Sequence, residues 1–115
     1  MENVYLYLGL TFILMHEMDA IRCKEWRIFP GLSLLNDKLG QNIFIFSHIP
    51  LFFVIFYFLG KPAFQKGLDI FLIIHCFLHI LFLKHQKNEF KDWISWSIII
   101  LASIFGGLDL FFRYL

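Results

Sequence analysis

Ionisable side chains occur inside the long apolar blocks of this sequence, where a membrane would leave them without water. The set comprises His16, Glu17, Asp19, His48, His75, His79 and Asp109. Near the centre of a membrane such a group costs about 3 kcal/mol unless it is paired, faces a cavity or binds something. These residues are therefore the first candidates for chemistry.

The spacing of these residues predicts a metal centre. His75 and His79 are separated by one helical turn, which lets two imidazoles bind one metal ion from one helix. His16 and Asp19 share a face of another helix by their i, i+3 spacing. Imidazole and carboxylate are ligands for zinc, or for iron or manganese if more carboxylate joins. The predicted metal ligands are His16, Asp19, His48, His75 and His79.

Depth in the membrane gives a second reason to group the histidines. Counted along the helices at 1.5 Å per residue, His16, His48 and His79 agree in depth to within about 3 Å. A three-histidine site with an open position activates a bound water molecule near neutral pH. The first hypothesis is therefore a metal-dependent membrane hydrolase acting on a lipid-like substrate. Asp19 would bind the metal or orient His16, and Glu17 would serve as a general base if the helix unwinds there.

Non-catalytic interpretations stay open beside this one. The His16–Asp19 stretch could reach the headgroups and be solvated, and histidines inside a bundle can bond helices together. The chain would then be a small helical module that oligomerises, binds a partner or conducts protons. A third interpretation is a haem held by His48 with His75 or His79.

Four helices must position these residues. Apolar blocks long enough to cross the hydrocarbon core lie at about 4–21, 42–59, 68–83 and 93–114. A lipid environment leaves helices as the way for such blocks to satisfy their backbone, and the alternating pattern of a barrel does not occur. The prediction is a single all-α domain, an integral membrane bundle of four transmembrane helices.

Positive charges predict the orientation of the bundle. Seven of the 10 Lys and Arg residues lie on the side of the first and third connectors, which favours that side as cytoplasmic and both termini as outside. They are Arg22, Lys24, Arg27, Lys38, Lys84, Lys87 and Lys91. Asp109 lies near the opposite side within reach of Arg113 at i+4, so a salt bridge is its expected role.

Composition agrees with a membrane protein. Hydrophobic residues make up 59% of the 115 residues and charged residues 17%, too few charges to cover a small soluble domain. The net charge of +1 provides no strong field for nucleic acid, so membrane lipid and a second copy of the chain are the expected partners. Cys23 and Cys76 have no paired spacing and are expected to be free thiols.

The connector after the first span allows two interpretations. Glu25 and Trp26 lie among basic residues, as in an anchor at the membrane interface. Alternatively, Glu25 folds back and adds a carboxylate to the histidine centre. The anchor is the favoured interpretation.

The run His16-Glu17-Met18-Asp19, followed by Glu25-Trp26-Arg27, resembles the HXXEE-motif family of small bacterial membrane proteins. The resemblance covers about the first third of the chain, with the later histidines as looser support. It departs at Asp19-Ala20, where that family has two glutamates. The resemblance implies a histidine and carboxylate centre in a bacterial inner membrane, and it implies no particular substrate.

Overall fold

The computed structural model describes residues 3–115 and is all-helical over that range. Its four long helices are α1 (Val4–Arg22), α2 (Asp37–Phe58), α3 (Pro62–Leu81) and α4 (Trp93–Tyr114). Each is long and apolar enough to cross a membrane. The predicted all-α fold with four membrane-spanning helices is thereby confirmed.

Two helices begin before the apolar blocks that predicted them. In α2 the side chain of Asn36 accepts a hydrogen bond from the backbone of Leu39 at 2.9 Å, and in α3 Pro62 occupies the first turn. Both are standard helix starts, so each helix gains a polar first turn that a hydropathy pattern does not include. Asp92 caps α4 in the same way, accepting from the Ser95 backbone at 2.9 Å.

Helix α4 packs along both α1 and α3, and these three helices form the compact part of the bundle. Small residues permit the close approach. A Cβ atom at Gly106 of α4 would lie 2.9 Å from the Asp69 carbonyl oxygen of α3, nearer than real Cβ atoms come. Helix α2 is less buried and packs mainly against the connector that precedes it.

Two apolar clusters fill the interior. One lies in the half of the bundle where α1 begins and α4 ends, and it consists of Leu6, Leu10, Ile13, Ile55, Leu68, Leu72 and Ala102. The other joins the connectors to the opposite end of the helices and consists of Ala20, Cys23, Trp26, Ile28, Phe44, Phe90 and Ile99. Both cysteines are free thiols, as expected. The candidate site lies beside the second cluster.

Candidate metal centre

Three imidazoles from two helices converge inside the bundle. The Nε2 atoms of His16 and His75 lie 3.1 Å apart, and those of His75 and His79 lie 3.2 Å apart. All three residues are buried, and their ligand atoms fall within 4.8 Å of one another. His16 comes from α1, and the i, i+4 spacing of His75 and His79 brings both rings to one side of α3.

A carboxylate completes the group from the connector. Glu25 Oε2 lies 3.2 Å from His16 Nε2 and 3.6 Å from His79 Nε2. The Glu25 side chain is mostly buried, with 14% of its surface exposed. The interpretation of this segment as only an interfacial anchor is therefore wrong, because Glu25 turns back to the histidines.

Four of the six separations among these atoms are close to those around one small cation bound by four protein atoms. A tetrahedral zinc ion with bonds of about 2.0–2.1 Å places its ligands roughly 3.3 Å apart. The four contacts of 3.1, 3.2, 3.2 and 3.6 Å lie close to that value. Three imidazoles and one carboxylate are also a ligand set that zinc accepts.

Neutral imidazoles can make these four contacts only if the Nε2–H groups of His16 and His79 are each shared between His75 and Glu25. A ring nitrogen of a neutral imidazole is either a donor or an acceptor. His75 Nε2 has a neighbouring Nε2 on each side, and His16 Nε2 faces both His75 and Glu25. A single cation between the four atoms would accept every lone pair at once. The buried Nδ1 atoms of His16 and His75 have no hydrogen-bond partner, so the outer support usual around metal-binding histidines is incomplete at these two rings.

The backbone between α1 and the Glu25–Arg27 turn explains how Glu25 reaches the centre. Lys24 adopts a left-handed conformation with φ 53°, which reverses the chain directly after the helix. Trp26, only 2% exposed, then fixes the turn by donating from Nε1 to Asp37 at 2.9 Å. Trp26 also packs where a Cβ at Gly40 would lie 3.1 Å from its ring, so this glycine makes room for it.

Phe90 closes the centre on the connector side. Its ring stacks on His16 at 5.4 Å between centroids and meets His79 edge to face at 4.5 Å. Asn88 accepts from the Phe90 backbone at 3.1 Å, and Trp96 donates to the Phe90 carbonyl at 2.7 Å. A fixed aromatic ring over the imidazoles limits the access of water to this face.

His48 belongs to a different pair. Its Nδ1 donates to the Phe44 carbonyl at 2.7 Å, and its Nε2 lies 2.6 Å from Glu17 Oε2. Because Nδ1 carries one proton, a second proton must lie between Nε2 and the Glu17 carboxyl. The structure therefore places His48 at a link between α2 and α1, away from the converging Nε2 atoms.

Asp19 lies in a third network, which joins α1 to α4. It accepts from Ser95 Oγ at 2.5 Å and from Arg22 at 2.7 Å. Arg22 continues to Asp92, 3.1 Å away, and these hydrogen bonds lower the pKa of the Asp92 carboxyl to about 2. Burial raises the pKa of the neighbouring Cys23 thiol, which lies 3.8 Å from Asp19. Asp19 thus links α1 to α4 through Ser95, and Arg22 of α1 extends this link to Asp92.

A fourth polar group lies at the other end of the bundle. Arg113 donates to Asp109 of the same helix, at 2.9 Å from Nε, which confirms the predicted i, i+4 salt bridge. Asp69 of α3 is fully buried beside them. Asp69 is not among the residues predicted from the sequence, although its position at the start of an apolar block is a visible signal.

Fold and site together define a membrane-spanning four-helix protein with a buried centre of histidines and a carboxylate. The chain belongs to DUF6713, a family of unknown function, whose model matches residues 2–115. That match says nothing about the resemblance to the HXXEE-motif family or about the organism. No curated protein and no solved structure matches the chain.

Proposed function

We propose that this protein is an integral membrane protein that binds one divalent transition metal ion, with zinc as the best fit, at His16, His75, His79 and Glu25. The single observation that carries the proposal is the convergence of the three Nε2 atoms and Glu25 Oε2 in a buried space.

The charge of the centre supports a cation there. Glu25 brings a mostly buried carboxylate whose contacts are to imidazoles, and neutral imidazoles do not balance it. A buried carboxylate without a counter-charge is strongly unfavourable. A divalent ion supplies that charge and uses the lone pairs of the three rings.

The set of four protein ligands favours a structural metal ion over a catalytic one. Structural zinc sites have four protein ligands, whereas catalytic sites keep one position for water or substrate. We infer that the ion fastens α1, α3 and the connector to one another. Its contribution to stability would equal the free energy of metal binding.

Metal analysis of matched histidine variants tests this proposal. Detergent-purified protein should contain a single equivalent of metal, and His79→Ala should lose it. His48→Ala is the control, because His48 is an intramembrane histidine bonded to Glu17 and Phe44 instead. The proposal would be overturned if the purified wild-type protein contained no metal and both variants kept the full stability of the wild-type protein. A Soret band in the purified protein would favour haem.

A metal-dependent hydrolase for a lipid-like substrate is the second candidate function. One observation favours it: the carboxylate ligand lies on a connector rather than within a long helix, and its distance to His79, 3.6 Å, is the longest of the four contacts. Displacement of Glu25 would open a position for water. Glu17, bonded to His48, would then be the candidate general base, while Asp19 would keep α1 in place.

Activity on lipid esters in mixed micelles tests this candidate. Metal-dependent hydrolysis that is abolished by Glu17→Gln while the metal content stays unchanged would support it. Full hydrolysis in the metal-free His79→Ala variant would exclude it.

The expected topology supports a cytoplasmic position for the metal centre. Both termini would be outside, in a bacterial inner membrane, and lipid or a second copy of the chain would cover the apolar outer faces. Accessibility of single cysteines placed at Lys61 and Lys87 would test this orientation, because the two residues lie on opposite sides of the bundle.

A further inference from the structure

A second buried polar cluster lies near the end of the bundle opposite the metal centre. It contains Asp69 of α3 together with Asp109 and Arg113 of α4. Asp69 precedes His75 on α3 by about 9 Å of helix rise, and the fully buried Leu72 lies between them. The two clusters are therefore separate.

Arg113 is the fixed positive charge of this cluster, and four of its five N–H groups already donate hydrogen bonds. Nε and Nη2 both donate to Asp109 Oδ2, at 2.9 and 2.5 Å. Nη1 donates to Asn3 Oδ1 at 2.8 Å and to Gln65 Oε1 at 2.7 Å. The only carboxylate to which the guanidinium group donates hydrogen bonds among the described residues of this cluster is therefore that of Asp109.

Asp69 is left without a partner of its own. Its side chain is 0% exposed, and neither of its carboxyl oxygens has a hydrogen-bond partner. The nearest cationic contact is Arg113 Nη2, 3.9 Å from Asp69 Oδ2, which is beyond hydrogen-bond distance. If both aspartates were ionised, two buried negative charges would share one positive charge.

We propose that Asp69 and Asp109 form a proton-binding site in which the two carboxyl groups hold one proton next to Arg113. Both carboxyl groups face Arg113 Nη2. Two buried carboxyl groups that share one positive charge cannot both ionise at low cost, so one of them keeps its proton. The shared proton makes the cluster neutral, with one carboxylate balanced by one guanidinium.

The groups that face this site from each packed helix agree with one positive charge for two carboxyl groups. Helix α4 contributes Asp109 and Arg113, α3 contributes Gln65, and the residue before α1 contributes Asn3. Lys66 of α3 is turned to the ring of Tyr114, 5.2 Å from its centroid. Among the described residues, Arg113 is therefore the cation that contacts Asp69.

A proton fits this position better than a sodium ion. Asn3 and Gln65 have oxygens that could bind sodium, but both accept hydrogen bonds from Arg113 Nη1. A metal cation at the Asp69 oxygens would also lie close to the guanidinium charge and be repelled by it. A proton adds the missing charge without needing several free oxygen ligands.

The site lies where four helix ends meet. Arg113 reaches α1 through Asn3 and α3 through Gln65, and Gln65 Nε2 donates to the Leu59 carbonyl at the end of α2, at 2.7 Å. Loss of the shared proton at high pH would leave an unbalanced charge under this junction. We therefore expect the helices to pack less tightly at this end of the bundle as the pH rises.

Carbon NMR of protein labelled with ¹³C at aspartate carboxyls tests the proposal in lipid nanodiscs. At neutral pH one aspartate signal should have the chemical shift of a protonated acid, and Asp69→Asn should remove it. In Asp109→Asn the remaining Asp69 should ionise beside Arg113, so the protonated signal should also vanish. Asp37→Asn is the control, since Asp37 pairs with Arg27 outside this cluster.

Wild-type protein alone already decides the question, even if a variant fails to fold. Only ionised aspartates at neutral pH would overturn the proposal. Signals that shift when sodium replaces choline at constant pH would show that the site takes sodium instead. As a second measurement, the thermal midpoint of wild-type protein should fall from neutral to mildly alkaline buffer, and that of Asp69→Asn should not.

Discussion

The replacement Glu25→Gln addresses the part of the metal centre that distinguishes it most sharply from a cluster of packing histidines. Gln has nearly the same shape as Glu but carries no charge and is a poorer metal ligand. Glu25 Oε2 lies 3.2 Å from His16 Nε2 and 3.6 Å from His79 Nε2, so the replacement changes the centre without disturbing the helices. Glu17→Gln is the matched control, because Glu17 contacts His48.

The expected loss of metal affinity follows from the role of Glu25. Groups that only orient a metal ligand change affinity by about 10–100-fold when they are mutated. A direct, charged ligand should reach at least the upper end of that range. We therefore expect Glu25→Gln to weaken zinc binding by about 100-fold, which corresponds to roughly 2.7 kcal/mol. Glu17→Gln should stay within a few-fold of wild-type protein.

Competition with a chelator of known affinity measures this difference in detergent solution. Cobalt is a useful second probe, since its absorption spectrum reports the number and type of ligands. The reasoning would be refuted if both glutamine variants lost affinity equally, or if Glu25→Gln bound zinc as tightly as wild-type protein. The first result would mean that Glu25 has no special role compared with Glu17, and the second that the carboxylate near His16 is not a ligand.

Three further predictions follow from the same contacts. Trp26→Ala should cost about 3 kcal/mol of stability and release the metal, because Trp26 fixes the turn that carries Glu25, whereas Trp93→Ala, at a residue 77% exposed, should be nearly neutral in thermal unfolding. Gly106→Ala should destabilise the bundle by about 1–3 kcal/mol, because the new Cβ would lie 2.9 Å from the Asp69 carbonyl oxygen; Gly107→Ala, with open space around it, is the control in the same assay. Acid should release the metal, because protons compete with it for the imidazole nitrogens and the Glu25 carboxylate. The Arg22–Asp92 contact should survive that step, because its contribution is present above the ordinary carboxyl pKa and disappears only as the pH falls to the Asp92 pKa of about 2; a metal-indicator dye and circular dichroism would follow the two steps.

The helices could be predicted from the sequence because lipid imposes a simple rule on them. A block of apolar residues in a bilayer must be helical, and its length fixes the number of crossings. Contacts within one helix were also within reach. The i, i+4 spacing of Asp109 and Arg113 sufficed for their salt bridge, since both residues share one helical face.

Contacts between helices were harder to predict, because the depth of a residue in the membrane does not specify which neighbouring helix its side chain faces. His48 agrees in depth with His16 and His79, yet its ring turns to Glu17. Asp19 shares a face with His16 by spacing, but it is bonded to Ser95 of α4. A hydropathy pattern gives the position of a residue along each helix, and it leaves open the rotation of the helices about their axes.

The role of Glu25 was hidden for another reason. It depends on a reversal of the chain at Lys24, whose left-handed conformation has no strong sequence signal in a residue other than glycine. Asp69 was overlooked because it lies at the edge of an apolar block, where a carboxylate is commonly solvated. In the folded bundle α4 covers that edge, and Asp69 is fully buried.

Charge balance connects the two proposals. Three intramembrane carboxyl groups have partners that balance their charge. Asp19 pairs with Arg22, Asp109 pairs with Arg113, and Glu17 shares a proton with His48. Glu25 has neutral imidazoles, and Asp69 has a guanidinium that is already engaged. A low-dielectric interior does not tolerate either charge alone. Glu25 is surrounded by imidazole nitrogens, whose lone pairs can bind a metal ion. Asp69 is next to a second carboxyl group and a guanidinium cation, and this environment favours a proton. If the metal proves absent, Glu25 must be neutralised by a proton as well, and the aspartate NMR experiment repeated with labelled glutamate would reveal it.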